Sequence, residues 1–152
     1  MSKIINVYTK EEWNEVIVDD DYNLPNKIFV VDEYAWININ GKAEKLHRVI
    51  INAKEGEIYD HRNRNKLDNR KENLRLSDKS KNGANRVCKG ISFKKNTGKW
   101  TAQMMVNYKY IHLGTFTDPE KAQQVYRKAH AEAFGEFSPY YEYYSGITKE
   151  EN

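Results

Sequence analysis

The stretch GEIYDHRNRNKLDNRKENLR, residues 56–75, places an Asp-His pair at the end of a short apolar run and follows it with a dense polar segment. This stretch alone allows two interpretations. Asp60 and His61 could form the core of a catalytic site, or they could be solvated loop residues, which is the commoner role of a single histidine in a polar loop. The rest of the chain has to supply the partners that a catalytic pair needs.

The length of 152 residues limits the protein to one ordinary core or two small ones. No apolar run approaches the roughly 20 residues of a membrane span, and the first residues, MSKIINVYTKEEW, lack the apolar core of a signal peptide. Cys88 is the single cysteine, which excludes an internal disulfide and a cysteine-based zinc cluster. We therefore expect a cytoplasmic protein without a membrane partner.

The net charge of +3 conceals an uneven distribution of charge along the chain. Residues 61–112 carry 14 Lys and Arg against 3 Asp and Glu, whereas the segments before and after them are net acidic. Residues 79–112 contain no acidic residue. A basic segment is about as often a solvent-exposed surface without a partner as it is a binding surface. A basic middle between acidic flanks nevertheless favours a surface that binds a polyanion, and nucleic acid is the obvious candidate.

Capping and periodicity patterns predict the elements of the first part of the chain. Thr9 followed by Glu12 is a capping-box pattern, which predicts a short helix over about 10–18. Asn40-Gly41 predicts a hairpin turn that leads into KLHRVIINA, 45–53. Apolar runs predict strands at 27–31, 35–40, 56–60 and 73–77, and residues 78–86 are suited to a helix.

From Lys89 onward the pattern changes and indicates a second module. Three strands are expected at 89–95, 99–107 and 109–116, with turns at 96–98 and near Asn107-Tyr108. A helix follows, with Thr117 as its expected cap, Pro119 in its first turn, Glu120 completing a capping box and Gly135 at its end. Its apolar stripe consists of Ala122, Val125, Tyr126, Ala129, Ala133 and Phe134, which leaves His130 on the helix surface.

Strand periodicity divides the predicted three-stranded sheet into two faces. The face expected to pack on the helix carries Ile91, Phe93, Trp100, Ala102, Met104, Ile111 and Leu113. The opposite face carries Ser92, Lys94, Thr101, Gln103, Met105, Tyr110 and His112. A polar, basic sheet face of this kind is suited to a DNA major groove. In the tail we expect Tyr140 to Tyr144 to pack partly on this module and the last few residues to be disordered, and we expect Cys88 to be structural.

Hydrolysis of a phosphodiester needs a base to activate water, a cation to offset developing negative charge, and positioning. His61 suits the base because the pKa of histidine lies nearest neutrality. A carboxylate and a neutral amide oxygen are hard ligands that suit Mg²⁺, which binds few protein groups and keeps several waters. Asp60 is one candidate ligand, and Asn82, on the predicted helix, is another.

The segment LHRVIINAKEGEIYDHRNRNKLDNRKENLRLSDKSKNGAN, residues 46–85, resembles the HNH nucleases, in particular the small phage homing endonucleases of that superfamily. The resemblance implies a ββα-metal fold around one divalent cation, Mg²⁺ or Mn²⁺. It implies that His61 is the general base, that Asp60 and Asn82 hold the metal, and that Asn73 fixes the hairpin and orients His61. LDNRKENLR, residues 67–75, is the most specific part of the match. His47 matches a histidine that is common upstream, where packing or a phosphate contact is expected.

The segment departs from the family pattern at one position. The family usually has an Asn-Gly turn between the Asp-His pair and LDNR, whereas this chain has Arg64 in the place of the glycine. If that position requires a positive φ, Arg64 costs on the order of 1 kcal/mol of strain. Its side chain could also bind a phosphate.

Residues 89–137 resemble the APETALA-type DNA-binding domain of plant ethylene-response factors, which also occurs fused to phage HNH nucleases. The matching features are Lys89-Gly90-Ile91, Gly98-Lys99-Trp100, the run Leu113-Gly114-Thr115-Phe116 and the alanine-rich helix ending in Gly135. This resemblance implies that the outer sheet face contacts DNA. The expected DNA-binding residues of the whole chain are Arg64, Arg70, Arg86, Ser92, Lys94, Lys95, Lys99, Gln103, Lys109, Tyr110 and His112.

Together the patterns predict an α+β protein with three parts: an HNH nuclease domain over 1–86, an APETALA-type domain over 87–140 and a tail over 141–152. The nuclease domain is expected to be of the ββα-metal type, and the second domain a three-stranded antiparallel sheet packed on one helix. The predicted function is metal-dependent, site-specific cleavage of double-stranded DNA by a monomer or weak dimer, in the host cytoplasm if a phage encodes the protein. The alternatives are a DNA-binding regulator that does not cleave and, less favoured, an RNA-binding or protein-interaction module.

Overall fold

The computed structural model describes residues 1–9, 12–23, 27–87 and 89–146. The predictions for Cys88, for the last few residues of the tail and for Lys10 lie outside these ranges. The fold mixes helices with several small antiparallel sheets, and the chain separates into two compact units between Asp78 and Lys79. None of the helices in these ranges is long and apolar enough to cross a membrane.

The first unit begins with an antiparallel hairpin of β1 (Ser2–Tyr8) and β2 (Trp13–Asp19). The helix predicted over 10–18 is therefore wrong. Val16 and Val18 are fully buried while their neighbours point outward, an alternation of period two that β-branched residues favour in strands. The Thr9 amide and hydroxyl both donate to the Glu12 carbonyl, at 2.9 and 3.1 Å, so Thr9 closes the hairpin loop instead of capping a helix.

A three-stranded sheet follows, made of β3 (Ile28–Val31), β4 (Tyr34–Ile39) and β5 (Lys42–Lys45) in that order. The predicted hairpin turn is present, with φ of 50° at Asn40 and 81° at Gly41. The segment after it does not stay extended, because α1 (Leu46–Ile50) follows β5 directly. Leu46 and His47 are both buried, which a strand with one covered face would not allow. The core of this unit consists of Val7, Val16, Val18, Ile28, Ala35, Ile37 and Leu46.

The Asp-His pair lies on the next hairpin, β6 (Ile58–His61) and β7 (Leu74–Ser77), close to the predicted strands. Asp60 faces Arg75 and His61 faces Leu74 across the hairpin. The connecting loop contains a short 3-10 turn, Lys71–Asn73. The N-terminal hairpin supports this loop, because the Ile17 amide donates to the Leu67 carbonyl at 2.9 Å and the Asn69 amide donates to the Ile17 carbonyl at 2.8 Å.

The second unit contains the predicted sheet and helix. After α2 (Lys79–Ala84), strands β8 (Ile91–Lys94), β9 (Lys99–Val106) and β10 (Lys109–Phe116) form an antiparallel sheet with β9 in the middle. The sheet packs on α3 (Pro119–Phe134), and α4 (Tyr141–Ser145) follows. Ala102, Ala122 and Tyr126 are buried at the interface, and the residues packed around them are Ile91, Trp100, Met104, Leu113, Phe116 and Tyr140.

Two local predictions for the second unit are corrected. The cap of α3 is Asp118, not Thr117, because the Asp118 carboxylate accepts from the Glu120 amide at 2.8 Å. His130 is buried rather than on the helix surface, because its ring packs on Tyr140 and its Nδ1 lies 2.8 Å from the Ser138 hydroxyl. A shift in register between His112 and Gly114 sets Phe116 opposite Trp100 in the core.

The same sheet leaves two expected core residues at its periphery. Phe93 and Ile111 are 48% and 39% exposed. Both lie on the predicted inner face, since Phe93 pairs with Trp100 and Ile111 pairs with Met104. Strand alternation therefore identifies the correct face, but only the residues close to α3 are covered by it.

Candidate nuclease site

Two buried histidines and a tyrosine form the centre of the candidate site. His61, at the end of β6, is 4% exposed, and His47, in α1, is 5% exposed. Their ring centroids lie 5.0 Å apart in an edge-to-face arrangement. The Tyr34 ring lies 5.9 Å from His47 and 6.2 Å from His61. The chain turn at Lys45-Leu46, where β5 becomes α1, brings His47 to this position.

The environment keeps both imidazoles neutral near pH 7. Burial lowers the pKa of His47 to about 3, and His61 when it is protonated, together with the charges of Lys45 and Arg48, acts in the same direction. Burial also lowers the pKa of His61, while the Asn69 side chain and the carboxylates of Asp60 and Asp68 oppose that shift. A neutral imidazole can accept a proton, which a general base must do. The burial of His47 favours packing as its role.

Asp60 is held by an arginine on the neighbouring strand. The Arg75 Nε and Nη2 atoms donate to Asp60 Oδ2 at 3.2 and 2.9 Å, and both residues are buried. The antiparallel register places the two residues directly opposite each other. The opposite charge offsets the cost of burying the carboxylate, which would be several kcal/mol for an unpaired ion.

Asn73 connects the two ends of the loop that joins β6 to β7. Its Nδ2 donates to the Asp68 carbonyl at 2.7 Å, and its Oδ1 accepts from the Asn63 amide at 3.1 Å. Its backbone carbonyl accepts from the Arg62 amide at 2.8 Å. Since Asn73 is 5% exposed, these bonds are protected from water and hold the chain that leaves His61 close to the chain that enters β7.

Asp68 and Asn69 belong to the same buried polar cluster, although no sequence pattern pointed to them. Each is 1% exposed. The Asp68 carboxylate accepts from Arg70 Nε and Nη2, at 2.8 and 2.7 Å, and from Asn63 Nδ2 at 2.8 Å. Asn69 Nδ2 donates to the Leu67 carbonyl at 2.9 Å, and its side chain neighbours His61. Their position within LDNRKENLR was the available signal, but a polar residue in a polar loop is usually exposed.

Two arginines predicted to bind DNA belong to the same loop. Arg64 is exposed and adopts a φ of 65°, so the position that carries glycine in the family pattern does require left-handed backbone. Arg70 is bound to Asp68 and also to Glu72, whose Oε1 accepts from Nη1 at 2.7 Å. These acidic partners hold the Arg70 guanidinium on the loop, and its contact with DNA stays a prediction.

The second unit carries the remaining predicted site residues. Asn82 lies on α2 and is exposed, and Arg86, just after that helix, is exposed as well. Of the predicted residues, the structure thus brings Asp60, His61 and Asn73 together at the hairpin of the first unit. Within the described ranges, no group of three or more His, Cys, Asp or Glu side chains is suited to hold a metal ion. A site with an amide ligand and few protein groups would not form such a group.

The outer face of the second unit's sheet is basic and polar. Cross-strand neighbours on it are Ser92 with Thr101, Gln103 with His112, and Met105 with Tyr110. Most predicted contacts are exposed, namely Lys94, Lys95, Lys99, Gln103, Lys109, Tyr110 and His112. Ser92 is only partly accessible, and its hydroxyl is buried.

Residues 44–84 match the family model described as HNH endonuclease. No curated protein matches the chain, and no solved structure matches it. The match leaves out the β1–β2 hairpin and the sheet of the second unit, and the resemblance of that sheet to the APETALA-type domain stays a prediction. The matched segment contains Asp60, His61, Asn73 and Asn82, so the comparison supports an HNH nuclease domain, and with it a nuclease that acts on DNA.

Proposed function

We propose that the chain is a metal-dependent, site-specific endonuclease of the homing type, which hydrolyses phosphodiester bonds in double-stranded DNA as a nick or a double-strand break. The observation that carries this proposal is the buried, neutral His61 beside Asp60, on a hairpin closed by Asn73, inside the segment that matches the HNH endonucleases. The resemblance implies products with 5′-phosphate and 3′-hydroxyl ends.

His61 acts as the general base in this proposal. It takes a proton from the attacking water, and its neutral ring can do so near pH 7 because burial disfavours the imidazolium. Asn73 acts indirectly. Its bonds to the Asp68 carbonyl and the Asn63 amide fix the loop that leaves His61, and a fixed base loses less entropy on reaching the reactive geometry.

Asp60 and Asn82 would hold the divalent cation, Mg²⁺ or Mn²⁺, as the resemblance implies. The donor set suits such an ion because a carboxylate and an amide oxygen are hard ligands. The Arg75 Nε and Nη2 atoms donate to Oδ2 of this Asp60 carboxylate. When bound, the cation polarises the phosphate and offsets the negative charge of the leaving oxygen.

The second unit supplies DNA affinity in this proposal. The outer sheet face has several exposed cations and no carboxylate of its own, because residues 79–112 contain no acidic residue. Lys94, Lys95, Lys99 and Lys109 would contact phosphates, while Gln103 and His112 would read base edges. The remaining proposed DNA contacts are Ser92, Tyr110, Arg64, Arg70 and Arg86.

One observation favours a second candidate function, a DNA-binding regulator that does not cleave. Arg75 already occupies one carboxylate oxygen of Asp60, and an arginine in the place of a metal would satisfy the same charge without catalysis. This candidate predicts sequence-specific binding through the second unit and no phosphodiester hydrolysis.

Plasmid cleavage separates the two functions. Purified protein is incubated with a supercoiled phage-genome plasmid library and Mg²⁺ or Mn²⁺, with a chelator control and a His61→Ala control. We expect nicked or linear DNA that the chelator prevents, and a loss of rate in His61→Ala of roughly 10²–10⁴-fold with little change in DNA affinity. Tight, specific binding without cleavage in either metal would establish the regulator instead.

A further inference from the structure

Lys45 lies beside the candidate site, although no motif identified it. It is the last residue of β5 and pairs with Trp36 of β4. The next two residues, Leu46 and His47, begin α1, and His47 packs on His61. The chain turn that places one histidine of the site therefore also places the Lys45 side chain.

The Lys45 ammonium rests on aromatic rings. Its Nζ lies 3.9 Å from the Tyr34 ring centroid and 5.6 Å from the Trp36 ring. Cation–π contacts of this kind hold an ammonium in place but leave its positive charge uncompensated. In the described part of the chain, no carboxylate forms an ion pair or a hydrogen bond with Lys45.

Lys66 provides a contrast on the same ring. Its Nζ lies 4.9 Å from the Tyr34 centroid, but it is paired with Glu33 at 2.5 Å. Partial burial lowers the pKa of Lys45, and the charges of Lys66 and Arg48 lower it further, with Asp32 acting in the opposite direction. A cation in such surroundings is stabilised by an anion that comes from outside the protein.

The distances limit what could lie between Lys45 and His61 to about the size of one phosphate with a water. Nζ lies 3.9 Å from the Tyr34 centroid, and that centroid lies 6.2 Å from the His61 ring, so at most about 10 Å separate the ammonium from the imidazole. A chain from imidazole through a water, a phosphorus and a non-bridging oxygen to an ammonium spans roughly 8–10 Å, at ordinary hydrogen-bond lengths.

We propose that Lys45 binds a non-bridging oxygen of the scissile phosphodiester and stabilises the negative charge that builds up during hydrolysis. This inference rests on the proposed nuclease function. The water oxygen forms a bond to phosphorus as His61 takes its proton, and the bond from phosphorus to the 3′ oxygen breaks. The 3′ oxygen leaves with its electron pair and takes a proton from solvent. The negative charge that accumulates on the phosphoryl oxygens is then close to the Lys45 ammonium, which stabilises it.

If Lys45 stabilises this charge, its replacement should reduce the cleavage rate more than it reduces DNA affinity. Many basic residues contribute to DNA binding, so the loss of one cation changes affinity only slightly. A donor aimed at developing charge in a site with little water contributes roughly 10²–10³-fold to the rate.

The test compares wild type with Lys45→Met, Lys45→Arg and the control Lys42→Met. Methionine keeps an unbranched apolar stem on Tyr34 and Trp36 but removes the charge. Lys42 lies on the same strand, is 79% exposed and pairs with Glu44 at 3.0 Å. The single-turnover rate is measured at saturating DNA with Mg²⁺, and DNA affinity is measured with chelator.

We expect Lys45→Met to cleave roughly 10²-fold more slowly with an affinity within about threefold of wild type. Lys45→Arg should recover part of the rate, and Lys42→Met should match wild type. Equal rates for Lys45→Met and wild type would overturn the role of Lys45 while leaving the nuclease function intact. A wild type that binds duplex DNA but never cleaves it would overturn the nuclease function, which is a different result.

A second measurement does not depend on cleavage by the variants. A duplex with a neutral methylphosphonate at the mapped scissile position is bound without metal. Wild type should lose affinity on this substitution, and Lys45→Met should lose none, since the charge contact is already absent. Equal losses of affinity in both proteins would show that Lys45 does not contact the scissile phosphate. If Lys45→Met does not fold, Lys45→Gln replaces it in the comparison.

Discussion

Arg64 adopts a backbone conformation that is unfavourable for an L-residue, but its exposed side chain is accessible to a ligand. Its φ of 65° is a conformation that costs an L-residue on the order of 1 kcal/mol and costs glycine nothing sterically. The side chain is exposed, so no packing within the first unit compensates for the strain. A charge that contacts DNA would account for an arginine at this position.

Replacement of Arg64 by glycine should therefore stabilise the fold and weaken DNA binding. We expect the free energy of unfolding to rise by up to about 1 kcal/mol in urea denaturation, because the strain is relieved. Arg62→Gly is the matched control, since Arg62 is a neighbouring exposed arginine without a positive φ, and there the added chain entropy should lower stability. A stabilised variant with unchanged DNA affinity would show that Arg64 only strains the turn.

At the scale of the elements, Gly90 allows the chain at the start of β8 to pack closely against α3. Gly90 precedes β8 with a φ of 61°, and a Cβ there would lie 2.1 Å from the Tyr126 ring. The sequence shows only that Gly90 belongs to the pattern Lys89-Gly90-Ile91. The structure shows why a glycine is needed there, because the Tyr126 ring of α3 packs against its Cα.

Gly90→Ala should destabilise the second unit by roughly 2–4 kcal/mol, through overpacking and left-handed strain together. Gly98→Ala is the control, because Gly98 has a similar φ of 66° but open space around its Cα. It should cost only about 1 kcal/mol. Urea denaturation monitored by tryptophan fluorescence measures both, and equal losses would contradict the close approach of Tyr126.

The buried imidazole on α3 should make the second unit sensitive to acid. Burial lowers the pKa of His130 from 6.5 to about 4, and its neighbours are the rings of Tyr126, Phe134 and Tyr140 and the Ser138 hydroxyl. Between pH 6.5 and 4 the unfolded chain binds a proton that the folded chain resists, so stability falls as pH falls, by up to about 3 kcal/mol in total.

Urea denaturation of wild type and His130→Gln at pH 7 and pH 4.5 tests this prediction. Glutamine cannot be protonated, so the variant should lose less stability than wild type on acidification. Parallel losses in both proteins would show that other groups, such as His47, carry the acid sensitivity.

On the scale of the whole molecule, the charge pattern predicts how DNA affinity depends on salt. Each lysine that neutralises a phosphate contributes about 1 to the slope of log affinity against log salt. Lys94→Ala and Lys99→Ala should each weaken binding and reduce that slope by up to about 1. Lys42→Ala, in the acidic N-terminal segment, should change neither. An unchanged slope in the Lys94→Ala and Lys99→Ala variants would show that these lysines do not contact DNA.

Local patterns predicted most elements because they depend on neighbours in sequence. Strand alternation, the Asn40-Gly41 turn and the Pro119 start of α3 all act within a few residues. For residues 10–18 the local pattern was misleading, since β2 occupies Trp13–Asp19. There a capping pattern competed with the alternation of Val16 and Val18, and burial in the core decided for the strand.

The sequence by itself supplied the candidates for the site, because Asp60, His61, Asn73 and Asn82 lie at the spacing that the HNH resemblance implies. Only the tertiary structure decided what surrounds those residues. Arg75 reaches Asp60 through strand register, and the hairpin of β1 and β2 supports the loop. A turn in the chain brings His47 onto His61 and the Lys45 ammonium onto the Tyr34 ring. The physical reason is that burial and charge at a site depend on contacts between distant segments, which spacing along a single chain does not contain.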